Sequence, residues 1–195
     1  MKALCVYCGS SAGVSPRYAE QARAMGAALV ARGITLIYGG GKVGLMGAIA
    51  DEVMRLGGQA IGVIPQMLMD KEVGHKGLTQ LHVVANMHER KAMMADLADG
   101  FIAMPGGIGT LEELFEVFTW SQLRLHDKPI GILNTDGYYD ALLGFVAHTV
   151  ERGFLRAEQA RLLMAAPDPL ALLALFDAFE VAPHDKFLNL VRSEG

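Results

Sequence analysis

The chain has 195 residues, 52% hydrophobic and 19% charged, with a formal net charge of -4. That length and composition exclude a disordered chain and fit one domain with a sizeable core. The mild negative charge gives no pull toward nucleic acid or an anionic membrane, and no apolar run reaches the roughly 20 residues of a membrane span.

Taken in order, short apolar runs alternate with helical patterns. Residues 2–8, "KALCVYC", read as a strand too short for a signal peptide. Its cysteines, Cys5 and Cys8, are an odd number of residues apart and point to opposite faces, as two buried thiols in a cytoplasmic protein. A helix follows, with Ser15 as N-cap, Pro16 in the first turn and Gly33 beyond its end. Strand 34–40, helix 44–58 and strand 59–65 come next. Residues 65–80 have no clear period and read as a long loop, either functional or a plain surface excursion. Then come strand 81–85, helix 87–99, strand 100–107, helix 110–123, strand 128–134 and helix 138–153. Two further helical patterns cover 156–164 and 169–179. The expected domain is 1–182, and 183–195 read as a loose tail. Nearly all-apolar strands between helices predict an α/β fold: a doubly wound, Rossmann-like parallel sheet with helices on both faces. Ligands of such folds bind beyond the carboxyl ends of the strands.

Two of those ends are glycine-rich. "YGGGKVG" has Gly39, Gly41 and Gly44 in a G-x-G-x-x-G spacing, but strand 59–65 ends in Pro65 with no acid to hold a dinucleotide ribose. Lys42 is followed by Val43, so a P-loop fails as well. Two readings stay open: a monophosphate or close ligand approach, or a tight structural turn. The second turn, "PGGIGT", places Gly106, Gly107 and Gly109 before a helix. Thr110-Leu111-Glu112-Glu113 fits a capping box, with Glu113 reaching back to a Thr110 cap. An acid near a helix N-terminus also keeps its charge, which suits stabilising a cation.

"MHERK" opens a helix with Arg90 and Lys91, cations that oppose the dipole there. They call for a ligand anion or carboxylate partner, or else lie in a solvated first turn with Glu89. The second histidine of a zinc H-E-x-x-H is absent and the six histidines show no other metal spacing, so no metal or cofactor is expected. Met93, Met94 and Leu97 read as core, and Trp120 as a residue at a dimer contact.

Together these residues resemble the LOG ("Lonely Guy") family of cytokinin riboside 5'-monophosphate phosphoribohydrolases. The family's P-G-G-x-G-T-x-x-E is matched from Pro105 to Glu113, and "CGSS", "YGGGKVGLMG", "MHERK" and "TWSQL" accompany it. The resemblance spans residues 2 to 150. It implies a homodimer that hydrolyses the N-glycosidic bond of adenine-type nucleoside 5'-monophosphates to free base and ribose 5-phosphate, without a cofactor. It puts the catalytic pair on Arg90 and Glu113. Substrate contacts fall on Glu72, Arg90, Lys91, Thr119 and the run Gly106, Gly107, Ile108, Gly109, Thr110, Leu111, Glu112 and Glu113. Gly9, Ser10, Gly40 and Gly41 join them as candidates on the other glycine-bearing edges. Related chains carry the label "lysine decarboxylase", for which this sequence offers no cofactor-binding lysine. A nucleotide carrier without turnover and a dinucleotide oxidoreductase are the competing classes, the latter weakened by the missing acid.

Overall fold

The computed structural model describes residues 1–72 and 74–181. Its strands are β1 (Ala3–Tyr7), β2 (Thr35–Tyr38), β3 (Ala60–Pro65), β4 (Gln80–Val84), β5 (Phe101–Ala103), β6 (Ile130–Leu133) and β7 (Leu163–Ala166). Its helices are α1 (Pro16–Ala31), α2 (Gly44–Arg55), α3 (Gln66–Glu72), α4 (Met87–Leu97), α5 (Ile108–Gln122), α6 (Asp140–Glu151), α7 (Ala157–Ala160) and α8 (Pro169–Asp177). Among the described residues the strands form one parallel sheet in the order β4-β3-β2-β1-β5-β6-β7. The chain starts in the middle, winds out to β4, then crosses back to lay β5 against the free side of β1. The order reverses between β1 and β5. Connections leave that point in opposite directions and open a crevice at the carboxyl edge.

Alternation along β1 sorts the two cores. Leu4 and Val6 face one side with Met25 and Leu29 of α1, Ile49 of α2 and Leu172 of α8. Cys5 and Tyr7 face the other with Met94 of α4, Leu114 and Phe118 of α5, and Val146 of α6. The cysteines do lie on opposite faces, both buried and both free. Ser15 caps α1 by accepting from the Arg17 N–H, Pro16 opens it, and Gly33 follows with a positive φ of 65°.

Two expectations change. Residues 163–166 form β7, paired with β6, where the sequence suggested a helical pattern reaching Met164. A four-residue apolar run carries no period of its own, and only the neighbouring strand decides it. The segment 65–80 includes α3 and is not loop throughout. The tail from 183 onward lies outside the described residues.

Candidate active site

The ladder between β1 and β5 runs on past both strands. The Met104 N–H donates to the Tyr7 carbonyl at 2.8 Å, and the Gly9 N–H donates to the Pro105 carbonyl at 3.0 Å. This draws Gly9 against Gly106 so closely that a Cβ on Gly106 would lie 2.8 Å from the Gly9 nitrogen. Only glycine fits there. The chain then turns straight into α5, whose N-cap is Gly107 and not Thr110. The expected capping box is therefore not formed. Thr110 lies in the first turn of α5 and Glu113 in the second, so neither side chain closes the helix end. The N–H groups of Ile108, Gly109 and Thr110 open the helix and have no intrahelical acceptor. Space around Gly107 and Gly109 is empty, since a Cβ on either meets nothing within 4 Å. A bare, glycine-flanked helix N-terminus favours an anion.

The geometry of the other glycine-rich turn fits the tight structural turn. Two of the three N–H groups that open α2, on Leu45 and Met46, donate to the Gly9 carbonyl, at 3.0 and 3.4 Å. Gly44, with a φ of 63°, packs so tightly that a Cβ would lie 2.3 Å from the Ser10 carbonyl carbon. Two of the donors that an anion would need are spent on backbone. Gly40 and Gly41 turn instead toward the strap after α3: the Gly40 carbonyl accepts from the His75 N–H at 3.0 Å, and Gly41 bridges Gly74.

Behind the α5 turn lies a cavity of about 290 Å³. Gly9, Ser10, Gly107, Ile108, Gly109 and Thr110 line its rim. Arg90, Glu112 and Glu113 supply its charges. Gly39, from the first glycine-rich turn, also lines it, as do Tyr7, Met46, Met87 and Met94, which were not singled out from sequence as ligand contacts. The methionines sit at core-like spacing on helices, and nothing in that pattern separates a cavity wall from a core.

Asn86 caps α4 by accepting from the Glu89 N–H at 2.9 Å, and the Glu89 carboxylate accepts in return from the Ala85 N–H at 3.0 Å. The cap fixes the first turn and points Arg90 inward. The Arg90 side chain is 9% exposed. Its Nη2 donates to the Gly39 carbonyl at 3.3 Å, and its Nη1 lies 3.7 Å from the Met87 sulfur. Nη2 also sits 4.0 Å from Glu113 Oε1, too far for a hydrogen bond but close enough for strong attraction. Its buried Nε has no partner among the described residues. An orphaned buried donor is costly, and a ligand acceptor would relieve it.

Glu113 is 12% exposed at its side chain. Burial pushes its pKa up to about 7, against the pull of Arg90, with Glu112 adding to the rise. Lys91 does not line the cavity. Its Nζ holds Glu112 at 2.5 Å and Glu116 at 2.9 Å. Burial lowers its pKa, but those two carboxylates outweigh burial and keep it above the ordinary value. So the two cations of "MHERK" find carboxylate partners on α5.

Other expected contacts stand apart from this cavity. Gly106 lines a neighbouring, more apolar hollow with Tyr18 and Tyr138, and Tyr138 Oη donates to its carbonyl at 2.7 Å. Leu111, Gly40, Gly41 and Thr119 do not line the cavity. Thr119 is exposed and turns back to the Phe115 carbonyl at 2.7 Å. Glu72 ends α3, and its side chain lies outside the described residues. Among the described residues no group of three or more His, Cys, Asp or Glu gathers as for a metal ion.

A family model described as possible lysine decarboxylase matches residues 46–176. A rice protein, probable cytokinin riboside 5'-monophosphate phosphoribohydrolase LOGL5 of Oryza sativa subsp. japonica, is 48% identical over 93% of this chain and 74% of its own. Cytokinin riboside 5'-monophosphate phosphoribohydrolase LOG7 of Arabidopsis thaliana is 48% identical over 92% of this chain and 82% of its own. Among solved structures, the molybdenum cofactor carrier protein of Chlamydomonas reinhardtii superposes with a TM-score of 0.69 at 19% identity, over 91% of this chain and 96% of that one. At that identity the likeness shows a shared fold.

Proposed function

The chain belongs to the LOG family of cytokinin riboside 5'-monophosphate phosphoribohydrolases, and from that premise we propose which of its residues do the work. The reaction is hydrolysis of the N-glycosidic bond of adenosine 5'-monophosphates, including N6-substituted ones, to free base and ribose 5-phosphate, the step that activates a cytokinin. The 5'-phosphate rests on the N–H groups of Ile108, Gly109 and Thr110, with the α5 dipole behind them. This anchors the remote end of the substrate and brings C1' of the ribose to Glu113, one turn further in.

Breaking C1'–N9 leaves positive charge on the sugar, as in glycoside hydrolysis. The Glu113 carboxylate stabilises that charge and accepts a proton from the water that adds to C1'; the C1'–N9 bond pair leaves on N9, and solvent protonates the base and takes the proton back from Glu113, so one water is consumed overall. Arg90 holds Glu113 toward its ionised form and offers its orphaned Nε to a substrate oxygen. Lys91 acts through Glu112 and Glu116 and not on substrate directly. One observation carries this reading: a buried carboxylate lies one helical turn inside a bare, glycine-lined helix N-terminus, facing a buried arginine. None of the residues lining the cavity is a lysine, so a Schiff-base decarboxylase does not fit it. Release of free base from AMP and N6-isopentenyl-AMP tests the assignment. Glu113→Gln with an unchanged release rate would contradict it.

A homodimer in the cytoplasm completes the proposal. Supporting it, Leu123 and Leu125 after α5 and Phe145 on α6 are each more than 60% exposed. No helix of the described residues is long and apolar enough to cross a membrane, and both cysteines are free.

A further inference from the structure

Three glycines follow β2, and two of the turn's positions need glycine for backbone reasons. Gly40 and Gly44 both hold positive φ, at 75° and 63°. Gly39 does not, so its conformation is open to any residue. Space is what restricts it. A Cβ on Gly39 would lie 2.0 Å from Arg90 Nη2 and 3.1 Å from Arg90 Cζ. Its next neighbour, the Met46 sulfur at 3.3 Å, is the end of a flexible side chain. The same residue offers its carbonyl to Nη2 at 3.3 Å. So the Nη2 end of the guanidinium fills the space that a side chain at residue 39 would take, with Met87 on its other terminal nitrogen.

We infer that Gly39 is a positioning residue for the reaction: by lacking a side chain and presenting its carbonyl, it seats the Arg90 guanidinium beside Glu113. The inference rests on the proposed roles of Arg90 and Glu113. A methyl group at residue 39 overlaps Nη2, so the guanidinium must leave its carbonyl acceptor and withdraw from Glu113. Displacing a catalytic group by about 1 Å costs on the order of 100-fold in rate.

Withdrawal also alters how Glu113 titrates. Glu113 is faced by Arg90 and Lys91 from α4, by Cys5, Tyr7 and Cys8 from β1 and its end, and by Glu112 and Glu116 along α5. Arg90 leads the influences that keep Glu113 ionised, so losing it moves the acidic limb of the pH–rate profile to higher pH. A glycine needed only for the turn would leave that limb in place.

The test is a double-mutant cycle on base release from AMP, using Gly39→Ala, Arg90→Ala and the pair, with melting temperatures and pH profiles. Gly39→Ala is expected to lose about 100-fold in kcat and to shift its acidic limb upward. The double variant is expected within about twofold of Arg90→Ala, because residue 39 then has nothing left to position. A Gly39→Ala enzyme within threefold of the parent, beside a crippled Arg90→Ala, overturns the inference alone. So does a double variant that loses the product of both single factors. An active Arg90→Ala overturns the underlying reading of Arg90, and the inference with it. If Gly39→Ala fails to fold, a double variant that melts like Arg90→Ala supports the clash, and a double variant that also fails to fold overturns it.

Discussion

At the scale of single residues, Glu113 meets two opposed demands. The proposed catalysis needs its carboxylate ionised, yet burial lifts its pKa to about 7. The acidic limb of kcat/KM against pH is therefore expected to have its midpoint near 7, checked by base release from AMP between pH 5 and 9. Glu113→Gln is expected to lose about 10²- to 10⁴-fold in kcat. Stability runs the other way. The folded pKa lies above the ordinary 4.5, so folding favours the protonated acid. That contribution is fully present below 4.5 and lost as pH rises through about 7. Well above 7, the buried charge costs on the order of 3 kcal/mol. Glu113→Gln should thus melt higher than the parent at pH 8.5 and level with it at pH 4.5, measured by calorimetry. The resemblance of two local motifs singled out Arg90 and Glu113, and the structure brings both to one cavity. The role of Lys91 was not legible in the sequence, because its partners Glu112 and Glu116 come from another helix.

At the scale of elements, two glycine-rich turns looked alike and do different things. The turn before α5 leaves its N–H groups open, whereas the turn before α2 gives two of its three to the Gly9 carbonyl. Spacing cannot tell these apart, since the acceptor lies more than thirty residues upstream. Each turn carries its own expectation. Gly109 sits inside α5 with open space around it, so Gly109→Ala should stabilise the fold by about 0.5–1 kcal/mol. The same methyl group intrudes on the phosphate, and KM for AMP should rise at least about tenfold with kcat less affected. Gly44→Ala is expected to destabilise by about 2 kcal/mol or more, from positive φ and a backbone overlap together. Thermal melting of the two variants side by side checks both signs. The start of α5 was misjudged by two residues because Thr110 has the chemistry of a cap. The ladder beyond β5 had already turned the chain at Gly107.

For the whole molecule, the parallel sheet was readable because its strands are apolar on both faces. β7 was not, because it exists only by pairing with β6. The reversal of strand order between β1 and β5 places the crevice, and the loops at that point place the residues. A fold shared at 19% identity with a molybdenum cofactor carrier shows how little the scaffold says about the reaction. What distinguishes this chain is a carboxylate, an arginine and a bare helix N-terminus held at one edge. The proposed homodimer is open to light scattering: Leu125→Glu, at a side chain 68% exposed, is expected to lower the measured mass to that of one chain. The central claim is tested most directly by comparing base release from N6-isopentenyl-AMP and from the same nucleoside without its phosphate. The nucleotide should yield free base and ribose 5-phosphate in equal amounts, and the nucleoside almost none. Equal release from both would contradict a site anchored on the α5 N-terminus.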